Sequence, residues 1–180
     1  MDALNYKFSL KKFAALLGSI LIGLIFATSA SAANPEPVTV EVEFVDPITI
    51  VENNALQFGL LDVNLGGAEV VIIAPDGGLT DAGSNVLGGT QAAADLTVAA
   101  QAGLPINILV DNISANTGYT LATFICDYDG GADLACDGAG LNVASSVAST
   151  ALRVGVTLSG TGGALVGTFN GSFDVTVIYQ

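Results

Sequence analysis

The chain has no histidine and no tryptophan, and only four lysines and arginines among its 180 residues. Each absence removes a class of function. Lys7, Lys11 and Lys12 stand at the start, which leaves Arg153 as the only base in the remainder. A serine or cysteine nucleophile there has no imidazole or amine to activate it. A histidine-ligated metal is ruled out, and two cysteines are too few for a zinc site of their own. Of seventeen acidic residues only Asp2 precedes residue 33, so the bulk of the chain carries one sign of charge. Such a surface repels phosphate backbones and anionic lipid, which excludes nucleic-acid binding.

Carboxylates are what remains for chemistry. A glycosidase needs only two, set across a cleft. Sugar clefts are walled with aromatic rings, however, and aromatics make up 7% of this chain. Acids scattered over a surface as solubilising groups account for the pattern, and the chain reads as a non-enzyme. The glycine pairs Gly66-Gly67 and Gly88-Gly89 lack the strand–GxGxxG–helix setting of a phosphate loop and read as turns.

What is present is apolar, small and β-branched. The three lysines precede an unbroken run, "FAALLGSILIGLIFA", from Phe13 to Ala27, followed by "TSASA" with Ala30 and Ala32 at small-x-small spacing. A basic head, an apolar core and a small-residue exit describe a secretory signal peptide, residues 1–32, cleaved after Ala32. The run is too short for a membrane span, since a helix rises ~1.5 Å per residue against ~30 Å of hydrocarbon. No membrane segment remains after that cut. The export route makes a disulfide between Cys126 and Cys136, in "CDYDGGADLAC", the default.

Residues 33–47 form an extension with a Pro-rich start. In its "PVTVEVEF", Val38, Val40, Val42 and Phe44 fall on one side of an extended segment and Glu41 and Glu43 on the other. Asp46-Pro47 interrupts it. Residues 48–180 then read as one domain of alternating segments. Strands are predicted in "ITIV", around Leu56 to Phe58, in "AEVVIIAP", over Ala93 to Ala99, and in "INILVD", "YTLATFIC", "LRVGVTLSG" and "SFDVTVIYQ". "DGGLTDAGSNVLGGT" reads as a polar loop, and the last two strands as a hairpin across a Gly-rich connection. Eight or nine short strands at intervals of about 10–20 residues predict an antiparallel β-sandwich.

Asp127, Asp129, Asp133 and Asp137 cluster in sequence around the cysteines. Hard oxygen ligands on a Gly-containing loop suit calcium, so these four are the candidate ion ligands, although their spacing is not that of an EF-hand. They are equally ordinary loop residues. No other cofactor is indicated.

The chain's last segment resembles the end of chaperone–usher pilus subunits. Phe173, Val175, Val177 and Tyr179 alternate, tyrosine stands one before the last residue, and Gly167 lies fourteen positions back. "ALQFGLLDV…GGAEVVI" and "LRVGVTLSG…GSFDVTVIY" are similar to a bacterial family of secreted domains of unknown function, itself similar to spore coat protein U and fimbrial subunits. The resemblance implies an immunoglobulin-like sandwich lacking its last strand. A periplasmic chaperone covers the gap first, and the leading segment of a neighbouring subunit covers it after an outer-membrane usher. Val38, Val40, Val42 and Phe44 would then be the donor strand. Gly167, Phe173, Val175, Val177 and Tyr179 would form the edge strand that the chaperone recognises. The implied role is a fibre or coat subunit, in the periplasm in transit and then at the cell surface, polymerised with itself or with sister subunits. The alternative is a stand-alone secreted adhesin or a ligand- or calcium-binding module. Placement of residues 38–45 relative to residues 172–179 separates the two.

Overall fold

The computed structural model describes residues 39–66, 69–114, 118–162, 166–168 and 170–180. The expected signal peptide and Val38 lie outside these. Two units separate, Met1–Glu43 and Phe44–Gln180. Of the first, only 39–43 are described, and they form no strand.

The second unit is an antiparallel β-sandwich, and no helix occurs among the described residues. Its strands are β1 (Thr49–Asn54), β2 (Leu60–Leu61), β3 (Val70–Ile73), β4 (Leu79–Asp81), β5 (Val86–Gly88) and β6 (Ala94–Ala99). They continue with β7 (Ile106–Asp111), β8 (Tyr119–Tyr128), β9 (Leu134–Ala135), β10 (Leu141–Val143), β11 (Ser149–Gly160) and β12 (Asp174–Tyr179).

The larger sheet is organised on β11. One side of β11 pairs with β8 along nearly its whole length. The other side pairs with β6 through Ser149–Val154 and then with β3 through Val156–Ser159. β1 extends the sheet beyond β6, β4 beyond β3 and β9 beyond β8. The smaller sheet runs β10-β7-β12, and β2 and β5 form a separate two-stranded ribbon.

Period-two alternation turns these strands into layers. Ala94, Leu96 and Val98 of β6, Ile106, Ile108 and Val110 of β7, and Leu152, Val154 and Val156 of β11 are buried between the sheets. Their intervening neighbours face outward. Burying a side chain of this kind stabilises by about 1.5–3 kcal/mol, which makes this interlayer the main source of stability.

The two long sides of the sandwich differ. On one side the chain laces the sheets together. The Cys136 N–H donates to the carbonyl of Phe124 on β8, 3.0 Å, while the Cys136 carbonyl accepts from Val110 on β7, 2.8 Å. The Cys126–Cys136 disulfide lies in that lacing, with both residues fully buried. The opposite side is bounded by β12, whose outer edge pairs with no strand among the described residues.

Two sequence expectations are corrected. β11 and β12 do not form a hairpin: β12 pairs with β7 of the other sheet, because both edges of β11 are already taken. The loop expected after Pro75 contains β4 and β5, held by the Asp81 carboxylate. Residues 39–45, within the candidate donor segment, pair with no strand among the described residues, since alternation specifies which face a partner would bury and supplies no ladder partner itself.

Candidate functional site: an open strand edge beside an apolar groove

β12 has one partner. It pairs with β7 from Asp174 opposite Asp111 through Tyr179 opposite Ile106, and no second strand lies along it among the described residues. The N–H of Gln180 donates to the Pro105 carbonyl, 3.1 Å, one step past the last ladder pair. In an antiparallel ladder every second residue turns both backbone groups to its partner. Asp174, Thr176 and Ile178 therefore bond toward β7, and Val175, Val177 and Tyr179 turn N–H and C=O to the open edge.

The same residues point their side chains inward. Val177 is buried, and Phe173, Val175 and Tyr179 are partly buried against the core. Phe173 leads into the strand as a wedge, its ring 5.0 Å from that of fully buried Phe124 with planes 60° apart. That tilted geometry is favourable for aromatic pairs.

Beside this edge lies a groove of about 1340 Å³. Three strands of the smaller sheet cannot cover the inner face of a seven-stranded one, and the uncovered part is the groove floor. Ile50, Ala94, Leu96, Leu121 and Leu158 of that sheet supply it, and Leu56, which follows β1, lines the groove beside them. Phe173 and Val175 also line it, as do Phe58, Leu60 and Leu61. Tyr119 also lines it, and burial raises its phenol above the ordinary value near 10, so it stays neutral at physiological pH. Glu52, Asp62 and Asp174 are the charged lining residues.

Described residues of the Gly-rich segment ahead of β12, 166–168 and 170–172, also line the groove. Gly167 lies there, outside the strand, lining the groove with φ at +134°, a conformation that disfavours a side chain. The candidate donor residues stand exposed: Val40 is 79%, Val42 64% and Phe44 89% accessible. They present unburied apolar surface at alternate positions.

The four aspartates near the disulfide have different surroundings. Asp127 sits in β8 opposite Arg153, and its Oδ1 is buried without a partner. Asp129 accepts from the Thr150 hydroxyl at 2.5 Å, and Asp137 from the Phe124 N–H at 3.3 Å. Asp133 is exposed in the loop. Among the described residues no three histidine, cysteine, aspartate or glutamate side chains gather as a metal-sized group.

An open edge with apolar side chains beside it has the geometry to accept an extended segment. Its main chain completes the ladder, and alternate side chains enter the groove. Alternation in the sequence located Phe173, Val175, Val177 and Tyr179. It did not mark Ile50, Leu56, Phe58 and Leu121 as groove lining, because a side chain that faces inward carries no local sign that its cover is absent.

The family model described as Domain of unknown function (DUF4402) matches residues 48–179, and the chain belongs to that family. No curated protein matches the chain.

Proposed function

We propose that this DUF4402 domain is a non-catalytic structural subunit of a bacterial surface fibre or coat, exported through the periplasm and assembled by donor-strand exchange. The observation that carries the reading is the unpartnered edge of β12 beside a groove floored with core residues. An edge of that kind invites another strand, and head-to-tail repetition of one such contact generates a filament. Support for the donor comes from the lead, where Val40, Val42 and Phe44 alternate and stand exposed. Val38 continues the same alternation in sequence. The resemblance to pilus subunits and to spore coat protein U supplies the remaining partners: a periplasmic chaperone that guards the groove, and an outer-membrane usher.

The test is deletion of residues 33–45, with purified protein before and after run unboiled for SDS-resistant ladders. Ladders present in the parent and absent from the deletion variant are expected. Ladders that persist unchanged reject exchange through this segment.

One observation favours a second reading. A groove of about 1340 Å³ is large enough for an extended ligand other than a peptide, as a stand-alone secreted adhesin or ligand-binding module would require. A parent protein that stays monomeric under all conditions supports that reading.

A further inference from the structure

The groove has a sign as well as a shape. Among the described residues its charged lining, Glu52, Asp62 and Asp174, is all acidic. Arg153, the single base outside residues 1–32, is remote from it. It projects from the outer face of β11 between Asp95 of β6 and Asp127 of β8, in register with both. Asp174 itself stands directly opposite Asp111 across the β7–β12 ladder, with both side chains on the outer face of the smaller sheet. A strand laid along the open edge must pass beside that pair of carboxylates.

The lead of a second copy fits this edge in shape and opposes it in charge. With Val38, Val40, Val42 and Phe44 pointing in, Glu41 and Glu43 emerge on the outer face, in the row that holds Asp174. Like charges on neighbouring strands are destabilising, and at an exposed rim they also slow association.

We infer that the groove preferentially takes a strand from a different polypeptide, in which apolar residues alternate with lysine or arginine. The acidic lead of a second copy follows only where salt screens the rim. This deepens the strand-addition reading and rests on it. In such a complex the apolar residues fill the groove as Val40 and Val42 would, and the basic residues lie on the outer face beside Asp174 and Asp111. A basic strand is thus held first, and exchange for the acidic lead is an ionic-strength-dependent step.

The test uses the intact protein and three labelled peptides, followed by fluorescence anisotropy. One has the sequence of residues 37–44, the second carries Glu41→Lys and Glu43→Lys, and the third has the residues of the second in an order without alternation. Titrations at about 20 mM and about 500 mM salt give weak and strong screening respectively. The alternating lysine peptide is expected to bind roughly tenfold tighter than the acidic one at low salt, the sum of a few rim pairs, and the ratio to fall toward one at high salt. Asp174→Asn is expected to narrow the low-salt ratio. An acidic peptide that binds as tightly as the lysine form at low salt overturns the inference and leaves strand addition standing. Equal binding by the scrambled lysine peptide also overturns it, since attraction would then be non-specific. Binding by none of the three removes the strand-addition reading along with it.

Discussion

The hydroxyl of Tyr179 donates to the carbonyl oxygen of Asp46, 2.8 Å away, and accepts from the backbone N–H of Gln101 at 2.7 Å. The Asp46 N–H in turn donates to the Gln101 side-chain oxygen at 3.1 Å. Three segments far apart in sequence meet at one phenol. The end of β12 thereby fixes the place where the chain enters the domain before β1.

Replacing that phenol removes two hydrogen bonds and leaves the ring in place. Tyr179→Phe is expected to lower stability by about 1–2 kcal/mol, from roughly 1 kcal/mol for each bond. A urea denaturation midpoint measures it, with an unchanged slope showing that compactness is unaffected. An unchanged midpoint would mean that the clamp does not form in solution.

Much of this architecture was readable from alternation. Leu96 and Val98, Ile106 and Ile108, and Val175 and Val177 each announced an inward face, and each is packed against the core. Pairing was not readable, because period two states which way a side chain points and nothing about which strand lies alongside. β11 and β12 looked like neighbours for that reason, yet they belong to different sheets. β4 and β5 were hidden because their short ladders are held by one aspartate's hydrogen bonds more than by apolar residues. The groove was hidden more deeply, since Leu56 and Leu121 look the same in sequence whether or not a second layer covers them.

Gly155 lies in β11 at a register shift against β8, where the strand passes beneath the end of β3. A Cβ there would stand 2.8 Å from both the Ala74 carbonyl carbon and the Pro75 nitrogen. Backbone cannot rotate away as a side-chain tip can. Gly155→Ala is therefore expected to cost about 1–3 kcal/mol by overpacking. Thermal melting followed by far-UV circular dichroism reads the loss, and an unchanged melting temperature would show that β3 moves aside freely.

Asp81 gives the fold a dependence on acid. Backbone N–H groups of Asn85 and Val86, the Asn85 side chain and the Gly83 N–H hold its carboxyl below the ordinary value of 3.8, against a smaller opposing effect of burial. A depressed folded-state pKa means that the unfolded chain binds the proton more readily. The stabilisation is complete above the unfolded value near 3.9 and is lost as pH falls below it, through the lower folded value. The stability difference between the parent and Asp81→Asn should be constant above about pH 5 and shrink below about pH 4. Denaturation midpoints over that range test the sign. A difference that grows on acidification would refute the assignment.

The laced and open sides of the sandwich make a final separation testable. Cys136 bonds to β8 through its N–H and to β7 through its carbonyl, so the disulfide secures the side opposite the groove. Closing a loop of ten residues stabilises by somewhat less than ~3 kcal/mol through the unfolded state. Cys126→Ala with Cys136→Ala should therefore lower the denaturation midpoint by an amount within that limit. The β12 edge has its partner in β7 and its wedge in Phe173 against Phe124, and neither contact requires the sulfurs. At temperatures where the variant remains folded, binding of an alternating peptide should match that of the parent. Loss of stability together with loss of binding would show that the lacing shapes the groove from across the core, and that the two sides act as one unit.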